Sequence, residues 1–322
     1  MTTNLGNVLI FGGTGFFGKS LVNYLNSEMN FYSDAIYLTA REPKKYQSIF
    51  PFDAFENVNI IDFDLDGSKM NPALESLNFD YIIHAAAAST DVLGLSSLDR
   101  YRQIVFGTEK ILKYVKDFQP LAKVLYVSSG GVYGEMPEKA ISFSENMNTI
   151  PAFDDKNNTY SISKRMAEHL CFLYADQFSL KVTIARCFAF SGRFLPLDVH
   201  FAIGNFILNA SKNEDIVIRG DGTQIRSYLD QRDLAEWLFV LLHNTVSIPA
   251  VYNVGSKKEI SIEKLAHKIK LIAGSNSAII VESAEQLNRN IYIPNTSKIT
   301  SQLGVSETVS LDLSIVDMLS HI

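Results

Sequence analysis

The chain has 322 residues, of which 47% are apolar and 20% charged, and its formal net charge is −6. That length supports a large core and two lobes, and that composition excludes a disordered chain. The acidic balance argues against an electrostatic grip on nucleic acid or an anionic membrane, and no apolar run approaches the ~20 residues of a membrane span.

Taken in chain order, the first element is the run Val8-Leu9-Ile10-Phe11. Four apolar residues bounded by glycine are too few for a helix and read as a strand buried on both faces. The strand starts so close to the N-terminus that no signal peptide is expected before it. Gly12, Gly15 and Gly18 follow, with Thr14, Phe16 and Phe17 between them, and Leu21, Val22 and Leu25 then mark a helix. Glycines permit a tight turn and let a ligand approach the backbone. The free amides and positive dipole end of the helix suit a pyrophosphate. Three glycines alone fit an ordinary turn equally well. Standing between the first strand and first helix of an alternating chain, they point to a dinucleotide.

Further strands are expected at Ala35–Leu38, Val58–Ile61, Tyr81–His84, Lys123–Val127 and Val182–Arg186. A long helix carries Ile104, Val105, Thr108, Ile111, Leu112 and Val115 on one stripe, and another runs from about Tyr160 to Phe178. Short apolar strands alternating with helices imply an α/β fold, a Rossmann-like doubly wound parallel sheet. Ligands of such sheets bind beyond the carboxyl ends of the strands. Beyond Arg186 the rhythm breaks. A helix is expected from about Phe201 to Lys212, a strand-turn-strand over Ile216–Tyr228, a helix over Asp233–His243 and a strand at Val251–Gly255. Two short helices are expected around Ile279–Val281. The expected organisation is a dinucleotide-binding domain of residues 1–187 plus about 229–256. A smaller, discontinuous α/β lobe takes about 188–228 plus 257–322. Cys171 and Cys187 are the only cysteines. Both lie in apolar segments and read as reduced core thiols of a cytoplasmic protein.

The second strand bears on the cofactor. A ribose with both hydroxyls free is normally held by an acid at that strand's end. Here Thr39 stands there, with Arg41, Lys44 and Lys45 just beyond. A guanidinium can pair with the extra phosphate of NADP, so the expectation leans to NADP with NAD possible; a solvated basic loop is the plainer alternative. Asp64 is placed to accept a hydrogen bond from the adenine amine.

Tyr160 and Lys164 stand one helical turn apart on one face. A free phenol ionises near pH 10, but an ammonium beside it favours the phenolate and brings proton exchange toward neutrality. Ser129, after the fifth strand, can donate to the same oxygen. The three would polarise a carbonyl or deprotonate an alcohol while a nicotinamide exchanges hydride. A lone Tyr-x-x-x-Lys means little, since a lysine often snorkels over a core tyrosine. Combined with the serine and the glycine loop it carries weight.

Over nearly its whole length the chain resembles the extended short-chain dehydrogenase/reductase family, in its nucleotide-sugar branch. The resemblance rests on Gly12, Gly15 and Gly18, Asp64-Leu65, His84-Ala85-Ala86-Ala87 and Ser128-Ser129-Gly130-Gly131-Val132-Tyr133-Gly134. It rests further on Tyr160 and Lys164, and on Gly220-Asp221-Gly222-Thr223-Gln224-Ile225-Arg226-Ser227-Tyr228 with Asp233-Leu234-Ala235. It implies that Leu65 and Ala85–Ala87 line the cofactor. It also implies that Arg226 grips the pyrophosphate of a nucleotide sugar, with Asn205 near the same phosphates and Tyr292 against the sugar. Ser89 and Gly130 join these as candidate substrate contacts. No metal is expected, and a homodimer is. Ile104 and Ala189 stand where the family commonly has asparagine. Dehydratases of the family follow the catalytic Ser or Thr with Asp-Glu, where this chain has Gly130-Gly131, so 4,6-dehydration is disfavoured. The expected function is reduction of a nucleotide-linked 4-keto-6-deoxyhexose at C4 by NADPH. An NAD-dependent C4 epimerase is the alternative, and a cofactor-sensing binding protein the alternative of another class.

Overall fold

A computed structural model describes residues 2–27, 30–44, 57–66, 70–87, 94–197, 201–282 and 290–322. Its main sheet has seven strands. In chain order they are β1 (Asn7–Phe11), β2 (Ala35–Ala40), β3 (Val58–Asp62), β4 (Tyr81–His84), β5 (Lys123–Ser129), β6 (Lys181–Cys187) and β7 (Ala250–Val254). Their spatial order is β7-β6-β5-β4-β1-β2-β3. The pairings β1–β2, β1–β4, β2–β3 and β4–β5 are parallel. The chain therefore reverses its direction of growth between β3 and β4, beside β1. This is the doubly wound order, with its switch point at the glycine turn.

The reason lies in the side chains of β1. Val8, Leu9, Ile10 and Phe11 are all fully buried, as a strand covered on both faces requires. Burying each such side chain contributes about 1.5–3 kcal/mol. Helices α1 (Phe16–Leu25), α2 (Ser97–Phe118) and α3 (Thr159–Phe178) follow β1, β4 and β5. The N-terminus of α2 is capped by Ser96, whose hydroxyl accepts from the Asp99 amide at 3.1 Å and donates to the Asp99 carboxylate at 2.6 Å. One face of the sheet buries Leu9, Phe11, Ile82, Val124, Tyr126, Val182 and Ile184 against Ile111, Leu112 and Val115 of α2 and Ala167 and Cys171 of α3.

Residues 1–132, 151–186 and 235–252 form one compact unit, and 133–150, 187–234 and 253–322 form another. The segment 133–150 therefore groups with the second unit rather than with the strand it follows. Within that unit Phe143 bridges to Pro294, and Asn253 donates to the Phe143 carbonyl at 2.8 Å. The expected strand-turn-strand over Ile216–Tyr228 is present as Ile216–Ile218 and Ile225–Ser227, and the two strands do not pair with each other. Ile216–Ile218 pairs with Ile279–Val281, whereas Ile225–Ser227 pairs with Glu259–Ser261 and Ile291–Tyr292. Gly220 and Gly222 both take positive φ, and the turn they make sends the two strands to different partners. Among the described residues the tail holds three helices, Ile262–Ala273, Ser297–Leu303 and Leu311–Leu319, where two were expected. Both cysteines are buried, and neither is in a disulfide. Among the described residues no helix is long and apolar enough to cross a membrane.

Candidate active site

Parallel pairing puts the carboxyl ends of β1 to β5 on one rim. The residues after those ends are the glycine loop, Arg41, Asp64-Leu65, Ala85–Ala87 and Ser129-Gly130. Ser89 and Lys45 lie outside the described residues.

At Gly12 and Gly18 the neighbouring backbone leaves no room for a side chain. Gly12 takes φ +84, and a Cβ there would lie 2.7 Å from the Ala86 backbone. A Cβ on Gly18 would lie 2.0 Å from the Gly13 carbonyl oxygen, so the first turn of α1 can close on the loop only without one. Gly15 differs. Its Cβ would meet nothing nearer than the Gly12 carbonyl at 3.7 Å. No side chain caps the N-terminus of α1, and no acid occupies its first turn. The positive dipole end of the helix and the open space above Gly15 fit the pyrophosphate of a dinucleotide. Phe16 and Phe17 meet edge to face at 5.6 Å between centroids.

Near the end of β2, Thr39 faces inward. It is buried, and its hydroxyl accepts from the Gly12 amide at 3.3 Å, which fixes the start of the glycine loop. Arg41 and Lys44 are exposed. Asp64 is half-buried, and one carboxylate oxygen accepts from the Asp66 amide at 3.2 Å. Lys110 donates to the Asp64 backbone carbonyl at 2.7 Å.

Ser129 closes β5. Its hydroxyl oxygen accepts from the Gly131 amide at 3.1 Å. A Cβ on Gly131 would lie 2.6 Å from the Ser161 hydroxyl and 3.4 Å from that of Ser129. The rim after β5 and the first turn of α3 thus meet at Gly131, beside Tyr160. Ser161 is a residue the sequence reading passed over; its only signal was adjacency to Tyr160. A side chain at position 131 would require the Ser161 hydroxyl to turn aside.

Tyr160 is half-buried against the core beneath the sheet. Lys164 is 3% exposed, and its ammonium donates to the Val127 carbonyl at 2.8 Å. The same ammonium lies 4.8 Å from the Tyr126 ring centroid and 6.0 Å from that of Tyr160. Contact with two aromatic rings and a carbonyl offsets part of the cost of burying a cation.

Three buried groups around Lys164 were not singled out for chemistry in the sequence. His84, at the end of β4, is 3% exposed. Thr108 donates its hydroxyl proton to the Ile104 carbonyl at 2.7 Å, so it accepts from His84 Nε2 at 3.0 Å. The Nδ1 atom then carries the lone pair, and among the described residues it is buried without a hydrogen-bond partner. Burial, and then the charge of Lys164, hold this imidazole well below its ordinary pKa. Glu168, one turn beyond Lys164, takes Arg186 of β6 in a forked ion pair, Nη2 to Oε2 at 2.7 Å and Nε to Oε1 at 3.0 Å. Ser128 donates to the same carboxylate at 2.6 Å.

In the second unit, Arg226 and Tyr292 are register partners on adjacent parallel strands. Arg226 donates to the carbonyls of Ile225 at 2.9 Å and Asn290 at 3.1 Å. Burial lowers its pKa, against the opposing pull of Tyr228 and Tyr292. Tyr292 packs on Phe188 at 4.7 Å and on Phe143 at 6.5 Å. Asn205 sits half-buried in the helix Ala202–Ser211. Among the described residues no group of acidic, histidine and cysteine side chains is arranged to hold a metal.

A family model described as the NAD dependent epimerase/dehydratase family matches residues 8–255. The chain is similar to UDP-glucuronic acid decarboxylase 1 of Xenopus tropicalis, 28% identical over 309 residues, 95% of this chain and 69% of that protein. It is 28% identical over 307 residues to a trifunctional UDP-glucose 4,6-dehydratase/UDP-4-keto-6-deoxy-D-glucose 3,5-epimerase/UDP-4-keto-L-rhamnose-reductase of Arabidopsis thaliana. That match takes in 94% of this chain but 44% of the plant protein, so the chain spans less than half of that relative. Among solved structures, the UDP-glucuronic acid 4-epimerase of Bacillus cereus in complex with UDP-glucuronic acid and NAD matches with a TM-score of 0.82 at 22% identity, over 98% of both chains.

Proposed function

This chain belongs to the NAD-dependent epimerase/dehydratase family, and from that membership we propose that it works at C4 of a nucleotide-linked hexose, with Tyr160 giving or taking the proton. A bound nicotinamide dinucleotide would supply or accept the hydride. The glycine loop and the uncapped start of α1 would hold its pyrophosphate. Ser129 would donate to the sugar oxygen, and Lys164 would favour the phenolate of Tyr160. Arg226 and Tyr292, neighbours on their sheet, would hold the nucleotide sugar by its phosphates and its ring.

Within that chemistry we favour reduction of a 4-keto-6-deoxyhexose by NADPH. The end of β2 carries this choice. Thr39 is spent on the Gly12 amide and offers no carboxylate to a ribose, while Arg41 and Lys44 stand exposed just beyond. Guanidinium and ammonium groups there would favour a ribose phosphate. The test is incubation of the purified protein with NADPH and a nucleotide-linked 4-keto-6-deoxyhexose. The expected result is loss of the reduced-nicotinamide absorbance, faster than with NADH, and a weaker preference for NADPH in Arg41→Ala. The second reading is C4 epimerisation, favoured by the Bacillus cereus 4-epimerase bound to NAD. Flat absorbance, with a nucleotide hexose interconverted without added cofactor, would overturn the reductase in its favour. Normal cofactor binding with neither activity would leave a sensor.

A further inference from the structure

Lys164 and Glu168 stand four residues apart on α3, the spacing at which a lysine and a carboxylate on one helix normally pair. The structure departs from that pairing. The Glu168 carboxylate faces β6 and β5, where Arg186 takes both its oxygens and Ser128 adds a hydrogen bond. Arg165, on its own helix, approaches Oε2 at 3.7 Å. Lys164 gives its ammonium to the Val127 carbonyl and lies over the Tyr126 and Tyr160 rings. Glu168 and Arg186 are 2% and 5% exposed, so water screens this arrangement little.

The titratable groups facing Lys164 make this choice consequential. They are His84 of β4, Tyr126 of β5, Tyr160, Glu168 and Cys171 of α3, with Arg165 and Arg186 behind Glu168. His84 is held neutral by burial and by Lys164. Burial pushes the Tyr126 phenol and the Cys171 thiol up, so both stay protonated. Among these described residues Glu168 is the one carboxylate able to neutralise the ammonium that Tyr160 needs. A carboxylate paired with Lys164 would cancel the field that favours the phenolate.

We propose that Arg186 is a positioning residue whose guanidinium holds the Glu168 carboxylate away from Lys164, leaving the lysine's charge to act on Tyr160. The inference rests on the reading of Tyr160 as the proton-exchanging group. Its primary readout needs neither substrate nor cofactor, so a wrong choice of reaction would not affect it.

The experiment follows the Tyr160 resonance in protein labelled with 13C at tyrosine Cζ, assigned by its loss in Tyr160→Phe. In Arg186→Met the freed carboxylate turns to Lys164, and the Tyr160 titration midpoint is expected to rise by about one pH unit or more. In the double variant Arg186→Met/Glu168→Gln the midpoint is expected to return toward that of the parent. In the turnover assay kcat near neutral pH falls about tenfold in Arg186→Met and recovers in the double variant, with KM little changed. A purely structural role predicts the reverse order, with the double variant at least as impaired as the single. An unshifted midpoint in a folded Arg186→Met, or no recovery in the double variant, overturns the proposal. If Arg186→Met does not fold, Arg186→Lys serves. One ammonium replaces the fork, so the midpoint should rise partway, and Arg186→Lys/Glu168→Gln should reverse it. A parental midpoint in Arg186→Lys with the ion pair lost by crystallography also overturns it.

Discussion

The glycine loop after β1 and the charged wall made by β4, β5, β6 and α3 belong to one compact unit and are built by opposite means. The loop works by what is missing. A Cβ at Gly12 or Gly18 would overlap backbone, and above Gly15 the space is open. The wall works by side chains that could pair in several ways and are held to one. Lys164 binds a carbonyl, Glu168 is taken by Arg186, and His84 is tied to Thr108. A region defined by absent atoms tolerates no addition but owes nothing to pKa. A region defined by buried charges tolerates shape changes better than a change in who pairs with whom.

The largest expected effect strikes the wall without touching its packing. Tyr160→Phe should lower kcat by about 10²–10⁴-fold while leaving cofactor binding and unfolding midpoints near those of the parent. A comparable loss of cofactor affinity would mean that Tyr160 only fills space. The loop should break differently at two of its glycines. Gly18→Ala places a carbon against fixed backbone and should cost roughly 3 kcal/mol, seen as a lowered midpoint in urea unfolding. Gly15→Ala should leave that midpoint unchanged or slightly raised, since the added Cβ meets only ordinary contact. It should weaken dinucleotide binding about tenfold by calorimetry, because the ligand must then approach a side chain. Equal destabilisation by both substitutions would erase the distinction between a packing glycine and a ligand glycine.

Smaller effects come from the wall's pH dependence. The His84 imidazole is held well below 6.5, first by burial and then by Lys164. The folded protein therefore binds fewer protons at that site than the unfolded chain. The stability linked to it is complete above pH 6.5 and declines as pH falls below 6.5 toward the depressed folded value. His84→Gln keeps an amide donor for Thr108 but cannot titrate. Urea midpoints measured from pH 7.5 to 5 should fall less steeply in that variant than in the parent, and parallel profiles would sink the assignment. In the second unit, burial pushes the Tyr228 phenol up to about 12. Its folded value exceeds the unfolded one, so the linked stability is complete below pH 10 and is lost as pH rises from 10 toward 12. Tyr228→Phe should flatten that alkaline loss.

Much of the first unit was legible along the chain. Val8–Phe11, the three glycines and the strand at Lys123–Val127 need only local pattern, because a strand buried on both faces must be apolar throughout. The structure extends several elements by a residue or two, as at Ala35–Ala40 and Lys181–Cys187. Tyr160 and Lys164 were readable because one helical turn joins them. The hydrogen bond between Thr39 and Gly12 was not legible, because the two lie 27 positions apart. The strands within Ile216–Tyr228 were legible but their partners were not, because these lie near Ile280 and Ile260.

What the sequence by itself determined is which segments alternate, where the loop lacks side chains, and which residues share a helical face. Those are periods of 2.0 and 3.6 and the absence of a Cβ, all properties of neighbouring residues. Only the tertiary structure decided that Glu168 pairs with Arg186 across 18 positions rather than with Lys164 across four. Three cations, Arg186, Arg165 and Lys164, stand near one buried carboxylate. The outcome depends on which guanidinium or ammonium the sheet brings within 3 Å, and no spacing along the chain encodes that.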